Sequence, residues 1–582
     1  MILQQLARDA ERIVGGEMPP PMYDLKPVKW IIDLDRSGAF LGCIPTVGRE
    51  TGGKRRDKGK ERLVPILSRK RTVAVVPQLL ADKLSYTLGL PADDAREQHA
   101  AYRALIESCA TRTGNPHVQA VAAFLKRWTL DDGAPARWGA EIESNDLITF
   151  RVDGRFPVDD ADVREFWVGY LANTDEDDAG DASQCLVCGA RKPIPERLPV
   201  PIQGIPGGQT SGIPLVGVNA EAFESFDLPK ARTAGVCSDC AERFGKALNR
   251  LLAAEDSHLR VGPLVYVFWT REGAGFPLLE FLNHPDPDAV KRLLTAYRSG
   301  MPFTAVDEMA FYATALTASG GRAVIRDWLH TTIGGAARNL ARWFELVRQV
   351  DAYGEPGSPV GVFRLAASLY RDANKELVAQ VPRALISTAL HGDPLPGWLL
   401  PQAVNRCRAE QDVTYPRAAL IKAVLCSNSG EKEDKMTGLN LEERRPGYVC
   451  GRLLAVLESI QRQAVPGINA TLVDRFYGSA STAPASVFGT LISHAQPHLA
   501  KIRKDPTKKG HSEALKGRLE EVLLLLESFP KTLAIQDQAL FALGYYHQRA
   551  ASRDAAIRAI SDRKAKHDAQ DTITEEDTTD VQ

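Results

Sequence analysis

Two C-x-x-C pairs, Cys185/Cys188 and Cys237/Cys240, are the residues whose type and spacing most directly specify chemistry in this 582-residue chain. Each pair can place two thiolates on one ion, and four thiolates around a tetrahedral centre suit zinc. Four such ligands fill the coordination sphere and leave no position for water, so the zinc expected here is structural rather than catalytic. Joining the pairs would pin together the ends of the intervening stretch, which carries a glycine-rich segment from Gly204 to Gly212. There Gly207 and Gly208 let the backbone approach a partner closely, while Gln209, Thr210 and Ser211 offer hydrogen-bonding groups. Such a tip can read a DNA groove, and its composition suits an ordinary surface turn equally well. The other cysteines, Cys43, Cys109, Cys407, Cys426 and Cys450, are scattered singly, as small buried hydrophobes are, and form no disulfide framework. That usage points to a reducing, cytoplasmic compartment.

A second feature is electrostatic. Between Arg49 and Thr72 the chain holds ten basic residues against three acidic ones. Lys54, Arg55, Arg56, Lys58, Lys60, Arg62, Arg69, Lys70 and Arg71 belong to this stretch, with Gly52, Gly53 and Gly59 among them. The whole chain has 72 Lys plus Arg against 73 Asp plus Glu, so the patch is local. A glycine-loosened cationic loop can follow a phosphate backbone and release its counterions, the plain alternative being a solvated loop.

Enzyme motifs largely fail. Gly52 to Lys60 imitates a phosphate-binding loop, but the spacing is wrong and Glu61 stands where a Ser or Thr must hold magnesium. Neither H-E-x-x-H nor G-x-S-x-G occurs, and no metal-nuclease cluster is visible. His391-Gly392-Asp393 stands alone, and His494, His498 and His547 lie in helical patterns as core or capping residues do. A non-enzymatic protein is expected.

These residues need elements to hold them. A short helix (Leu3 to Ile13) precedes a Pro-rich break at Pro19 to Pro21. Trp30 to Asp33 and Ala39 to Ile44 then flank Asp35-Arg36-Ser37-Gly38, a hairpin signature. Asp153-Gly154 predicts a second hairpin between Leu147–Val152 and Arg155–Val158. Further strands are expected at Leu264 to Trp269 and Phe311 to Leu316, and a helix from Gly335 to Val350. The acidic stretch Asp175 to Asp181 reads as a solvated linker into the first cysteine pair. From Gly451 to Arg549 apolar residues recur every three or four positions, as in a helical bundle. The fold class is therefore α+β. A mixed domain spans 1–300, with a zinc-ribbon-like insertion at about 182–245. A mostly helical connector follows at 301–445, then the all-α bundle at 446–552. The charged tail, 553–582, has too few apolar groups to offset ordering entropy and is expected to be disordered. No run approaches the ~20 apolar residues of a membrane span, and Met1 to Gly15 lacks the pattern of a signal peptide.

Long strings in the C-terminal half carry a resemblance: Gly451 to Gln461, Ile468 to Ser481 and Phe541 to Arg549. It continues upstream through Leu63 to Pro65, Tyr86 to Gly89, Phe150 to Gly154, Ser211 to Val216, Asn219 to Ser225 and Arg322 to Trp328. The chain resembles the large subunit of the type I-C CRISPR Cascade surveillance complex over about Met1 to Arg549. That resemblance implies a non-catalytic subunit that recognises the protospacer-adjacent motif in double-stranded DNA, assists R-loop formation and stabilises the displaced strand. Its implied partners are the CRISPR RNA complex, the Cascade backbone subunits, a helicase-nuclease and, by internal initiation near Met436, a separate small subunit. The family pattern Gly-x-x-Gly-x-Gln-x-Ser-Gly matches Gly204, Gly207, Gln209, Ser211 and Gly212. The pattern shares only the first knuckle cysteine, so zinc rests on this chain's own spacing. A zinc-ribbon DNA-binding regulator and a nuclease are the alternatives; the first needs no long helical C-terminus, and the second needs grouped metal ligands.

Overall fold

The structure is a computed structural model that describes residues 2–46, 59–67, 75–131, 133–138, 140–174, 182–217, 224, 228–271, 278–299, 302, 307–429 and 433–576. It divides into two compact units, Met1–Ala254 with Ala318–Val324, and Glu255–Thr317 with Ile325–Gln582. The acidic stretch 175–181 and most of the basic stretch lie outside the described residues.

The first unit opens with α1 (Ile2–Val14), β1 (Tyr23–Val28), β2 (Trp30–Leu34), β3 (Phe40–Pro45), β4 (Lys60–Pro65) and β5 (Ala81–Lys83). There follow α2 (Leu84–Thr87), α3 (Arg96–Thr113), α4 (Pro116–Arg127), α5 (Ala134–Arg137), β6 (Leu147–Val152), α6 (Ala161–Thr174), β7 (Ala182–Gln184), β8 (Arg191–Pro193) and α7 (Ser238–Ala253). β2 and β3 form the expected antiparallel hairpin. Its turn is organised by the Asp35 carboxylate, which accepts hydrogen bonds from the backbone amides of Ser37 and Ala39, each at 2.8 Å. The four-stranded sheet has the order β3-β2-β6-β5. Its core joins Ile32, Phe150 and Val152 to Tyr102 and Ile106 of α3, Val121 and Phe124 of α4, and Trp167 of α6.

The second expected hairpin is not formed. Asp153 and Gly154 do turn the chain with φ of 49° and 78°, and Val152 bridges Arg155. The returning strand stops there because Pro157 opens a short 3-10 turn, Pro157–Asp159. β6 has both edges occupied already, by β2 in parallel and by β5 in antiparallel register.

The second unit opens with β9 (His258–Val261), β10 (Leu264–Thr270), α8 (Leu278–Leu282), α9 (Pro287–Ser299), β11 (Ala310–Ser319) and β12 (Arg322–Thr332). Its helices continue with α10 (Ile333–Val347), α11 (Val362–Ala367), α12 (Ala373–Glu376), α13 (Gln380–His391), α14 (Leu399–Glu410) and α15 (Tyr415–Ser429). The last five are α16 (Pro446–Ala464), α17 (Leu472–Ala480), α18 (Phe488–Arg503), α19 (Lys509–Leu523) and α20 (Ile535–Glu576). The strands expected near 264 and 311 and the helix expected near 335 are β10, β11 and α10. The compact units part after Ala254. The reason is pairing: β9 and β10 share a sheet of order β12-β11-β10-β9 with strands that come after residue 310. One face of that sheet, through Tyr266, Phe268, Phe311 and Ala313, joins the same core as Trp343, Leu420, Leu453 and Phe541 of the helices.

α20 continues past residue 553 to Glu576, into the segment whose composition predicts disorder. Alanines at 555, 556 and 559 favour helix, while Ile557 and Ile560 are 48% and 67% exposed. Among the described residues, no helix is long and apolar enough to cross a membrane.

Candidate metal centre and nucleic-acid interface

α7 organises the site. Its buried positions, Cys240, Ala241, Phe244, Ala247, Leu248, Leu251 and Leu252, recur at helical spacing, and Cys237 is its N-cap. Cys185 and Cys188 lie in a tight knuckle between β7 and β8. There the Gly189 amide donates to Cys185 O at 2.8 Å, and Gly189 takes a φ of 74°. The Leu186 amide donates to Gly235 O at 2.9 Å and ties the knuckle to the approach to α7. The four sulfurs all lie within 4.8 Å of one another, with Cys188 Sγ 4.0 Å from Cys237 Sγ. Cys188 is exposed and the other three are buried.

The four thiols form a group that could hold a metal ion. Burial alone would raise the Cys185 thiol, but amide N–H groups of Cys237, Cys188 and Val187 converge on its sulfur and bring it down to about 6. The Val187 and Cys237 amides each donate to it at 3.4 Å. Cys237 and Cys240 are pushed up, by burial first and also by the charge of Cys185. Ionising all four sulfurs so close together needs a positive centre among them. Tetrahedral zinc with Zn–S of ~2.3 Å places sulfurs ~3.8 Å apart, so a small contraction of this cluster accommodates it. The donor set fits the ion, and it would be held by Cys185, Cys188, Cys237 and Cys240.

The glycine-rich loop is built on a two-stranded neck. Ile202 and Ile213 exchange both backbone hydrogen bonds, at 2.8 and 2.9 Å. Above the neck, Gly208 N donates to Ile205 O at 3.0 Å and Gly212 N to Gln209 O at 2.9 Å. Gly212 has a φ of 96°, and a Cβ there would lie 2.8 Å from Pro201 Cβ, so glycine is required. Ile202, Ile205 and Ile213 are buried beneath the loop, whereas Gln209, Thr210 and Ser211 are exposed at its tip. Pro214 O accepts from Ala323 N at 2.9 Å, which seats the loop beside the turn that joins β11 to β12.

The cationic residues divide. Lys54, Arg55, Arg56, Lys58, Arg69, Lys70 and Arg71 lie outside the described residues, and Lys60 is exposed on β4. Arg62 donates through its guanidinium to Asp159 at 2.8 Å and lies 3.3 Å from the centroid of the Phe156 ring, contacts that anchor β4. In the helical unit, Arg475, Lys501, Arg503 and Lys504 are exposed. Arg452 is 3% exposed and donates to Gln548 Oε1 at 3.2 Å, so it belongs to the bundle interior. Tyr545 and His547 also hold that interior. Tyr545 Oη donates to Glu458 Oε2 at 2.8 Å, and His547 lies 3.0 Å from both Tyr448 Oη and Gln349 Oε1. Burial, and to a lesser degree the Lys422 charge, push His547 down to about 3 and keep it neutral.

Sequence reasoning missed a polar group around Asp327. Tyr266 Oη donates to Asp327 Oδ2 at 2.7 Å, and His391 Nε2 is 3.3 Å from the same oxygen. These residues come from β10, β12 and the end of α13, and no short-range spacing announces their meeting.

No curated protein matches the chain. A family model described as CRISPR-associated protein (Cas_Csd1) matches residues 3–553, which takes in the cysteine cluster, the glycine-rich loop and the helical bundle. With that coverage the chain belongs to the Cas_Csd1 family of CRISPR-associated proteins and is a large subunit of the type I-C Cascade complex.

Proposed function

We propose that this Cascade subunit recognises the protospacer-adjacent motif in duplex DNA, helps open the duplex for the CRISPR RNA, and holds the displaced strand. Guide pairing supplies most of the sequence information in RNA-guided systems, so the protein has only a short motif to read. The observation that carries this reading is the Gly204–Gly212 loop, closed at Ile202 and Ile213 and exposing Gln209, Thr210 and Ser211. Residues 1–300 act as the DNA-recognition domain, and zinc at the four cysteines is structural, fixing the insertion at about 182–245. The cations between Arg49 and Thr72 hold duplex phosphates, so phosphate contacts position and loop contacts specify. Residues 301–445 connect to the bundle at 446–552, where exposed Arg475, Lys501, Arg503 and Lys504 follow the displaced strand. Cascade backbone subunits and a helicase-nuclease complete the assembly; strand cleavage belongs to that nuclease, and a separate small subunit can start near Met436.

The test is DNA binding by the reconstituted guide-RNA complex, with and without this chain, on duplexes carrying the correct or a scrambled flanking motif. Motif-dependent binding that requires the chain supports the reading. Binding that is unchanged in its absence would make the chain a scaffold.

A further inference from the structure

The neck of the glycine-rich loop is bonded on both of its edges. Ile202 uses its N–H and C=O to pair with Ile213, which leaves the flanking groups, Pro201 O and Gln203 N–H, pointing the opposite way as strand geometry dictates. There the side chain of Asn249 takes the place of a neighbouring strand. Its Nδ2 donates to Pro201 O at 3.0 Å, and its Oδ1 accepts from Gln203 N at 2.9 Å. A carboxamide carries one donor group and one acceptor side by side, so a single residue completes both bonds. Asn249 sits on α7, the helix whose start carries Cys237 and Cys240. One turn before it, Gly245 lets the neck close on the helix: a Cβ at that position would lie 2.7 Å from Val200 Cβ.

We infer that Asn249 is a positioning residue for motif reading, holding the Gly204–Gly212 loop in the one geometry in which Gln209, Thr210 and Ser211 meet the DNA. The inference rests on the proposed role of that loop. Its physical content is order. Without the Asn249 amide, Pro201 O and Gln203 N–H lose their partner on α7, and the neck keeps the Ile202–Ile213 pair and the Pro214–Ala323 bond but not its tie to the helix. The tip then samples several orientations, and discrimination between correct and scrambled motifs falls even though every group at the tip is still present. A short polar side chain on a mostly buried helix has no apolar reason to be there, and its two bonds to alternate backbone groups supply the polar one.

The experiment compares wild type, Asn249→Ala, Asn249→Asp and Gln209→Ala within the reconstituted complex. Asn249→Asp preserves size and the acceptor for Gln203 N–H but turns an oxygen toward Pro201 O, so it perturbs the neck without opening a cavity. Two quantities are read: amide hydrogen exchange at Gln203, Gly208 and Gly212 in the full chain, and the affinity ratio for correct over scrambled flanks. Exchange at Gly208 and Gly212 should rise about tenfold in both Asn249 variants, and exchange at Gln203 should rise likewise in Asn249→Ala, which removes its acceptor. The affinity ratio should fall by about the same factor while affinity for the scrambled duplex holds, a split that general destabilisation would not produce. Unchanged exchange in both variants overturns the positioning role. So does a ratio that survives the Asn249 variants but is abolished in Gln209→Ala. If Gln209→Ala also leaves the ratio intact, the fault lies with the loop as motif reader, and the functional part of this inference falls with it.

Discussion

Gln209 carries a carboxamide that donates and accepts from one planar group, the complement of an adenine edge in the major groove. Its neighbours Thr210 and Ser211 add hydroxyls that adapt to either role, so the exposed tip offers direction as well as polarity. Replacing Gln209 by Ala should cost about 1–3 kcal/mol of discrimination, read as the ratio of Kd values for correct and scrambled flanks. Equal losses on both duplexes would remove Gln209 from motif reading. His391 offers a test of another kind. Its hydrogen bond to Asp327 raises its pKa above the ordinary 6.5, against the opposing effect of burial. Asp327 is held low: burial would raise it, but hydrogen bonds from His391 and Tyr266 outweigh that. A histidine whose folded pKa is raised contributes its stability fully below pH 6.5 and loses it as pH climbs through the folded value. The melting temperature of wild type should therefore fall, relative to His391→Asn, as pH is raised from about 6 to about 8. Parallel melting profiles for the two proteins would show that the pair contributes no pH-dependent stability.

At the scale of elements, α7 links parts of the first unit that lie far apart in sequence. Arg243 Nε donates to Ala7 O of α1 at 2.9 Å, and the Glu242 carboxylate accepts from Met22 N at 3.3 Å. Lys246, only 3% exposed, bonds to Glu242 and to Pro19 O and Pro20 O. A metal at the N-terminal end of this helix would fix its first turn, so Cys240→Ser should lower bound zinc from about one per chain to well under half by elemental analysis. Full zinc occupancy in that variant would rule out the four-thiolate centre. In the helical unit, α16 and α20 approach through glycine. A Cβ at Gly451 would stand 2.0 Å from Phe541 O, and one at Gly544 would stand 2.1 Å from Tyr448 O. Gly451→Ala should accordingly destabilise that unit by roughly 1–3 kcal/mol in a denaturant titration, because the obstruction is backbone and cannot rotate away. Much of this architecture was legible where the deciding chemistry is local. The β2–β3 turn follows from Asp35 and Gly38, the bundle from its apolar period, and the cysteine cluster from two C-x-x-C spacings. The partners of β6 were not legible, since an alternating strand does not name its neighbour and β2 lies far away in sequence. Asn249 was hidden for the same reason: a single Asn within a helix has no period to betray it.

For the molecule as a whole, near-neutral charge conceals a strong local asymmetry. The stretch from Arg49 to Thr72 holds ten basic residues against three acidic ones, and its flank on β4 shows how such cations are sorted. Arg62 is committed to Asp159 and Phe156, whereas Lys60 faces solvent. Phosphate contacts carry no sequence information, so this stretch and the glycine-rich loop should fail in different ways when altered. Replacing Lys54, Arg55, Arg56 and Lys58 by Ala should weaken binding of the complex to correct and scrambled duplexes alike. The dependence of log K on log salt should flatten by about 0.9 for each phosphate that is no longer neutralised, up to roughly three or four in all. The affinity ratio between the two duplexes should stay near its wild-type value, in contrast to Gln209→Ala, which moves the ratio and leaves the salt slope alone. A charge-neutralised variant with an unchanged salt slope would assign these cations to solvation, and the work of holding duplex DNA would then fall to other surfaces of the assembled complex.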